Sequence, residues 1–306
     1  MLHLSADNMN IDDETVVTIG NFDGFHIGHK RLCQRAIDEA LNKGIKSLLL
    51  TFNPHPVKVL KGIDVKLLFT DSEKRDLARD MGFDIFLEYP FTPDFAQTSG
   101  EDFIKSVLYD KLNCKVLVVG EGFGLGKGKS FGSIKIDRFS SSLGIEVITL
   151  PLLSSKGEKV SSTLIRELIS KGDMGRACYY LGKDYFVDGV VEHGRKVGHK
   201  LGFPTMNVFL PKEKLAPKKG VYITQTVLNT GEEYPSITNL GNNVTFGYYS
   251  TRLETYAFGL NRDVYGEKIR IRFKKFLRGE TKFDSPEALS EQLNRDLEAM
   301  KIYYNL

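Results

Sequence analysis

A change of periodicity near residue 182 divides this chain. Before it, strand-like runs alternate with helix-like ones: Glu14–Phe22, Ile45–Phe52, Asp84–Tyr89, Lys115–Val119 and Ile145–Leu150 are short apolar runs. Between and after them, Gly28–Lys43, a segment opening at Thr70-Asp71-Ser72-Glu73, Ser99–Asn113, Ser133–Leu143 and Ser161–Lys171 read as helices. Alternation of this kind, with apolar strand cores, predicts an α/β domain whose parallel sheet is covered on both faces and binds ligands beyond the carboxyl ends of its strands. After Gly182 the strand-like runs Tyr185–Glu192, Val221–Leu228, Tyr234–Leu240, Arg252–Gly259 and Lys268–Phe276 follow one another, separated by Gly, Asn and Pro turns. Only Ser285–Ile302 is helical in pattern, with Ser285 as N-cap and Pro286 at the first helical position. The expected fold class is therefore α/β plus all-β, as domains 1–182 and 183–306, the second a barrel or sandwich closed by a terminal helix.

The chain's 306 residues suffice for two cores. Apolar runs such as Leu48-Leu49-Leu50 and Val116–Val119 are strand-sized, so no membrane-spanning segment is expected. Met1–Leu4 shows no basic segment followed by an apolar stretch, so no signal peptide is expected. Cys33, Cys114 and Cys178 lie far apart with no CxxC pair, which argues against disulfides or zinc and for a cytoplasmic location. A net charge of +3 is too small to suggest a nucleic-acid partner, although the excess is on the C-terminal side.

Three segments of the first domain have the residues for holding phosphate. Gly20-Asn21-Phe22-Asp23-Gly24-Phe25-His26-Ile27-Gly28-His29 joins the first strand to the first helix. Its glycines allow a tight turn, the helix N-terminus offers free N–H groups, and His26 and His29 stand three residues apart. Thr51-Phe52-Asn53-Pro54-His55-Pro56 follows the second strand at its carboxyl end. Ser161-Ser162-Thr163-Leu164-Ile165-Arg166 reads either as a plain helix cap or as hydroxyls and a guanidinium around one polyphosphate. A fourth segment, Gly120–Ser130, looks like a P-loop but fails by register: glycine would be needed at Phe123.

These residues carry a resemblance. The pattern GxFDGxHxGH at Gly20–His29, with Thr51–Pro56 and Ser161–Arg166, resembles the adenylyltransferase half of prokaryotic bifunctional riboflavin kinase/FAD synthetases, within the HxGH nucleotidyltransferase superfamily. The resemblance implies a Rossmann-like domain in which FMN phosphate attacks the α-phosphorus of ATP, giving FAD and pyrophosphate. It implies that His26 and His29 are catalytic, and that Gly20, Asp23, Gly28, Ser162, Thr163 and Arg166 bind ATP. Asn53, His55 and Phe123 would contact flavin. The loop after the fourth strand departs from the family pattern VVGxDFxFG, with Gly122 in place of the polar residue and Leu125 in place of the second aromatic.

In the second domain, Gly194–Asn207 is a glycine-rich basic loop ending in Thr205 and Asn207, spaced to share one side of an extended segment. By itself it reads as a basic hairpin or as a phosphate loop. It resembles the riboflavin kinase signature GRxLGFPTAN, and Gly220-Val221-Tyr222, Asn239-Leu240-Gly241, Glu254, Tyr265-Gly266 and Arg278–Phe283 follow in family order. The resemblance implies a small Greek-key barrel in which Glu254 takes the proton of the riboflavin 5′-hydroxyl. Gly194, Gly198, Lys200, Thr205 and Asn207 would bind ATP, Thr205 and Asn207 its Mg²⁺, and Arg278 the flavin. His199, Met206 and Asn243-Val244-Thr245 depart from the usual residues.

The expected partners are riboflavin, FMN and ATP, with no membrane or nucleic acid and a monomer or weak oligomer. Three other readings stand beside the bifunctional enzyme. One is a kinase with its first domain impaired at Gly122, another a non-catalytic flavin-binding regulator. The third, an aminoacyl-tRNA synthetase-like enzyme, is disfavoured because no basic extension and no matching lysine loop accompany the HxGH motif.

Overall fold

A computed structural model describes residues 1–5, 8–126, 130–155, 157–193, 203–245 and 248–306, with backbone alone at 242–245 and 248–250. Two compact units emerge, Met1–Ser162 and Thr163–Leu306. The first is built on six parallel strands: β1 (Leu2–Leu4), β2 (Thr15–Ile19), β3 (Lys46–Asn53), β4 (Ile85–Pro90), β5 (Cys114–Gly120) and β8 (Glu146–Leu150), in the order β1-β4-β3-β2-β5-β8. The order reverses between β2 and β5, which opens a crevice at their carboxyl ends, where ligands of such sheets bind. Two short hairpins, β6–β7 (Gly124–Leu125, Phe131–Gly132) and β9–β10 (Ser154–Ser155, Glu158–Lys159), flank β8 in sequence.

Helices α1 (Ile27–Lys43), α2 (Pro56–Lys61), α3 (Asp71–Met81), α4 (Gly100–Phe103) and α5 (Ser133–Ser142) complete this unit. On α1 the apolar positions recur at helical spacing and bury Cys33, Ala36, Ile37 and Ala40, and Gly44 ends the helix in the left-handed region at φ 68°. Helix α3 starts with a full capping box, Thr70 and Glu73 each satisfying the other's backbone N–H. The expected helix over Ser99–Asn113 is shorter: α4 runs into a π-helical stretch, Ile104–Tyr109, that buries Ile104, Val107 and Leu108. Strand β2 is buried at every position, as a parallel sheet covered on both faces requires.

The second unit starts with α6 (Ser162–Lys171), whose first residue ends the first unit, and α7 (Met174–Leu181). Strands β11 (Tyr185–Val190), β12 (Met206–Phe209), β13 (Gly220–Leu228), β14 (Glu233–Thr245), β15 (Tyr248–Ala257) and β16 (Lys268–Arg278) pair antiparallel in the order β11-β16-β13-β14-β15-β12. A bridge between Glu192 and Asn207 joins the two ends, so the sheet is a nearly closed barrel. Helix α8 (Pro286–Tyr304) packs Met300 on Val221, Ile223 and Ile237 of the barrel's outer face. The inward face carries a buried hydroxyl ladder: Thr224 to Thr238 at 2.8 Å, Thr238 to Thr255 at 2.9 Å, and Thr226 to Ser236 at 2.8 Å.

The division between compact units falls at Ser162/Thr163, two helices before the change of sequence pattern at 182/183. Helix α7 explains the shift. Its Met174, Ala177, Tyr180 and Leu181 are buried, and the Cys178 thiol donates to Phe273 O at 3.7 Å in β16, so the helix belongs to the barrel's packing. Composition marked the start of the first barrel strand, whereas packing starts two helices earlier.

Candidate active sites

The loop between β2 and α1 sits at the crevice. It takes three left-handed residues in four, Phe22 (φ 44°), Gly24 (φ 93°) and Phe25 (φ 43°). For a phenylalanine that conformation costs about 1–3 kcal/mol, and full burial of a ring returns an amount of the same order. Both rings are wholly buried, with centroids 5.7 Å apart. Asp23 is buried too; its Oδ1 accepts from Leu68 N (2.8 Å) and Phe69 N (3.4 Å), and its carbonyl accepts from the Ser162 hydroxyl (2.7 Å). Its carboxylate therefore fixes the loop from behind.

His26 is the N-cap of α1, and its Nδ1 accepts from His29 N at 3.2 Å. A neutral His26 then carries its proton on Nε2. The two imidazoles stack with centroids 3.6 Å apart and planes 16° from parallel. Gly28 makes room for this: a Cβ there would stand 3.2 Å from the His26 ring. A cavity of about 290 Å³ opens in front of the pair, lined by His26, Gly28 and His29 with Arg31, Lys159 and Ser162. A helix N-terminus, two histidines, two cations and a hydroxyl thus meet around one cavity.

The other expected residues of this unit lie elsewhere. Gly20 donates its N–H to Leu50 O at the end of β2 and is absent from the cavity wall. Thr163 is exposed and Arg166 half-buried on α6, and both fall in the second compact unit. Asn53 is exposed at the end of β3, and His55 caps α2, its Nδ1 accepting from Val57 N at 3.3 Å. Phe123 packs on the sheet's core beside Leu125, which is itself buried, and Gly122 takes φ 80°. Both loop departures thus have a structural use: glycine for a left-handed turn, leucine for the core.

An aromatic group at the carboxyl ends of β3 and β4 escaped the sequence reading. Phe52 stands 5.5 Å from Phe91 and 6.0 Å from Phe95, and Phe95 stands 4.8 Å from Tyr89. All four are half-buried, next to Asn53. The spacing of Phe91 and Phe95 across a loop has no period that would reveal it.

In the second unit, Glu254 lies on β15 with Asn207 of β12 and Asn239 of β14 directly opposite. Its neighbour on the same face, Arg252, is buried and binds its Oε1. Glu254 faces a cavity of about 300 Å³ whose aromatic walls are Phe203, Tyr256 and Phe283, with Phe203 and Tyr256 5.2 Å apart. Arg278, at the end of β16, also lines it. A second cavity, about 460 Å³, holds Arg262 and Tyr265 in its wall, and the Tyr265 and His193 rings lie 3.9 Å apart, tilted by 34°. Thr205 lines both cavities. Asn207 is buried and in neither wall; its carboxamide donates to Thr205 O at 3.5 Å. Gly194, Gly198 and Lys200 lie outside the described residues. Sequence reasoning missed Arg252, since an arginine two residues from a carboxylate on a strand has no distinctive pattern.

A parallel-sheet unit with a histidine-bearing helix start at its switch point, followed by a barrel whose Glu254 faces one cavity and whose Thr205 lines two, has the architecture of the nucleotidyltransferase-plus-barrel class. Comparison gives the family. The family described as FAD synthetase matches residues 8–164, and that described as riboflavin kinase matches 181–304. A bifunctional riboflavin kinase/FMN adenylyltransferase of Bacillus subtilis is 33% identical over 317 residues, covering 100% of this chain and 98% of the relative. One of Buchnera aphidicola (Schizaphis graminum) is 32% identical over 302 residues, covering 97% and 96%. The crystal structure of a protein of Streptococcus pneumoniae, described as a macrolide-efflux protein, superposes with a TM-score of 0.89 at 27% identity over 98% of this chain and 99% of that one. The chain belongs to the bifunctional riboflavin kinase/FMN adenylyltransferase family. Among its described residues no helix is long and apolar enough to cross a membrane.

Proposed function

We propose that this chain phosphorylates riboflavin to FMN with ATP and adenylylates FMN to FAD with a second ATP, releasing pyrophosphate. The observation that carries the reading is that each family match spans one of the two sites described above, over nearly the whole chain. The cytoplasm is the compartment this chemistry suits. As catalytic regions we keep 1–182 and 183–306, because Thr163 and Arg166 continue the phosphate motif begun at Ser161.

For kinase chemistry, the aromatic-walled cavity suits the flavin ring, and the cavity with Arg262 and Tyr265 suits the nucleotide. Thr205, in both walls, then stands where the γ-phosphoryl group passes. Glu254 accepts the proton of the 5′-hydroxyl as its oxygen bonds to phosphorus and ADP departs with the electron pair of the broken bond. Arg252 holds that carboxylate in place. The hydroxyl of Thr205 and the carboxamide oxygen of Asn207 are hard oxygen donors of the kind Mg²⁺ takes, and such an ion would neutralise phosphate charge there.

For adenylylation, an oxygen of the FMN phosphate attacks the α-phosphorus and pyrophosphate leaves; no covalent intermediate on the protein is needed. Stacked His26 and His29 supply donors to the phosphates, helped by the α1 N-terminus, and catalysis is positioning plus charge stabilisation. The aromatic group around Phe52 and Phe95, with Asn53 and His55 beside it, offers faces for the flavin.

Chromatography of products after incubation with riboflavin, ATP and Mg²⁺, and separately with FMN, tests this. FAD is expected from both. His29→Ala should stop FAD formation from FMN and leave FMN formation intact, while Glu254→Ala should do the reverse, each by about 10²–10⁴-fold. Equal loss of both activities in each variant would sink the two-site assignment.

A further inference from the structure

We infer that Asp296, on the terminal helix, is a positioning residue for flavin binding, acting through Arg278; the inference rests on the kinase reading above. Asp296 is buried at 4% exposure in the middle of α8, yet it lines the cavity that holds Glu254. Its carboxylate takes Arg278 in a two-pronged grip, with Nε to Oδ1 at 3.1 Å and Nη2 to Oδ2 at 2.7 Å. Gln292, one turn earlier on α8, donates to the same Oδ1 at 2.9 Å and so holds the carboxylate in turn. A third guanidinium bond goes from Nη1 to Gly279 O at 3.3 Å.

A guanidinium has five N–H donors in one plane. Three are engaged among the described residues, which leaves two for a ligand, while Cζ stands 5.8 Å from the centroid of the Phe283 ring. Such a plane, locked before ligand arrives, offers a stacking surface and donors for the carbonyl oxygens of a flat heterocycle such as isoalloxazine. An arginine free to rotate would have to be ordered at binding, and pre-ordering one rotamer-rich side chain is worth up to about tenfold in affinity. Docking of α8 does not depend on this pair alone. Met300 is fully buried on the barrel, and the Tyr304 hydroxyl donates to Thr224 O at 2.9 Å.

Asp296→Asn in the full chain keeps the shape and removes the charge, and it turns an amide N–H₂ or a weaker acceptor toward Arg278. Quenching of flavin fluorescence gives the riboflavin Kd, and steady-state FMN formation gives kcat and both KM values. The expected result is a riboflavin Kd and KM raised about tenfold, with kcat and the KM for ATP changed by less than threefold. Arg278→Met should raise the riboflavin Kd by at least as much, and Asp296→Asn added to it should raise it no further. Gln292→Met, a milder change, should raise the riboflavin Kd about two- to threefold and serves if Asp296→Asn does not fold. An unchanged riboflavin Kd in a folded variant, or full additivity with Arg278→Met, overturns the inference and leaves Asp296 as a strut for α8. If the unaltered chain neither binds riboflavin nor makes FMN, the kinase reading itself falls, and this inference with it.

Discussion

At the scale of single residues, position and packing decide what each side chain contributes. Gly28 stands in the first turn of α1, where a change to alanine ordinarily stabilises a helix by about 0.5–1 kcal/mol. Its Cβ would press on the His26 ring at 3.2 Å. Gly28→Ala should therefore keep or raise the melting temperature while FAD formation falls at least tenfold and FMN formation does not change; a variant with full FAD formation would separate the histidine stack from catalysis. Arg252 makes the complementary case in the barrel. Arg252→Met leaves Glu254 without the partner that orients it, so kcat for FMN formation should fall about tenfold with the KM for ATP little changed. A KM effect alone would assign Arg252 to binding.

At the scale of elements, the barrel is stapled by hydroxyls as well as by its ladder. Thr224, Thr238 and Thr255 form one buried chain across β13, β14 and β15. Thr238→Val removes the middle member and strands two buried hydroxyls, which should cost about 1–3 kcal/mol in urea unfolding. Replacing all three by valine should cost less than replacing the middle one, since no polar group is then left unpaired. A triple variant weaker than the single would show that packing, and not the hydroxyls, holds this face. The elements also show where pattern reading stops. Helices α1, α3 and α8 were legible from caps and apolar spacing, with Gly44, Thr70 and Ser285 each doing what its residue type predicts. Strands β1 and β12 were not, because three or four residues on a sheet edge carry too little periodicity. The π-helical stretch at Ile104–Tyr109 was read as ordinary helix, since both bury the same apolar residues.

At the scale of the whole molecule, burial sets a limit on the alkaline side. Desolvation pushes the Cys114 thiol from an ordinary 9.0 up to about 12 and the Cys178 thiol up to about 11, and it raises the Tyr222 and Tyr304 phenols as well. Each group stays protonated in the folded chain while the unfolded chain already releases its proton. Stability is then fully present below the unfolded values and declines as pH rises from about 9 toward the folded ones. The urea midpoint should be level from pH 7 to about 8.5 and fall steadily above 9, and Cys178→Ala should make the fall shallower; a level midpoint through pH 10.5 would contradict this. The same burial predicts that Cys114 reacts with a thiol reagent only after unfolding.

By itself the sequence determined the two architectures and the order of their longer elements. Apolar period, caps and turn residues are local, and so are HxGH and the paired threonine and asparagine. Tertiary structure alone decided which of those residues meet. It brought Ser162 to the cavity of His26 and His29 while leaving Asn53, His55 and Phe123 outside that wall. It set Thr205 between two cavities and folded the terminal helix back so that Asp296 meets Arg278, 18 residues before it. It also decided that α7 belongs to the second compact unit, since its apolar face is buried. The reason is range: a period or a cap is written within one turn or one strand, whereas a contact across tens of residues depends on how whole faces pack, and no single segment encodes that.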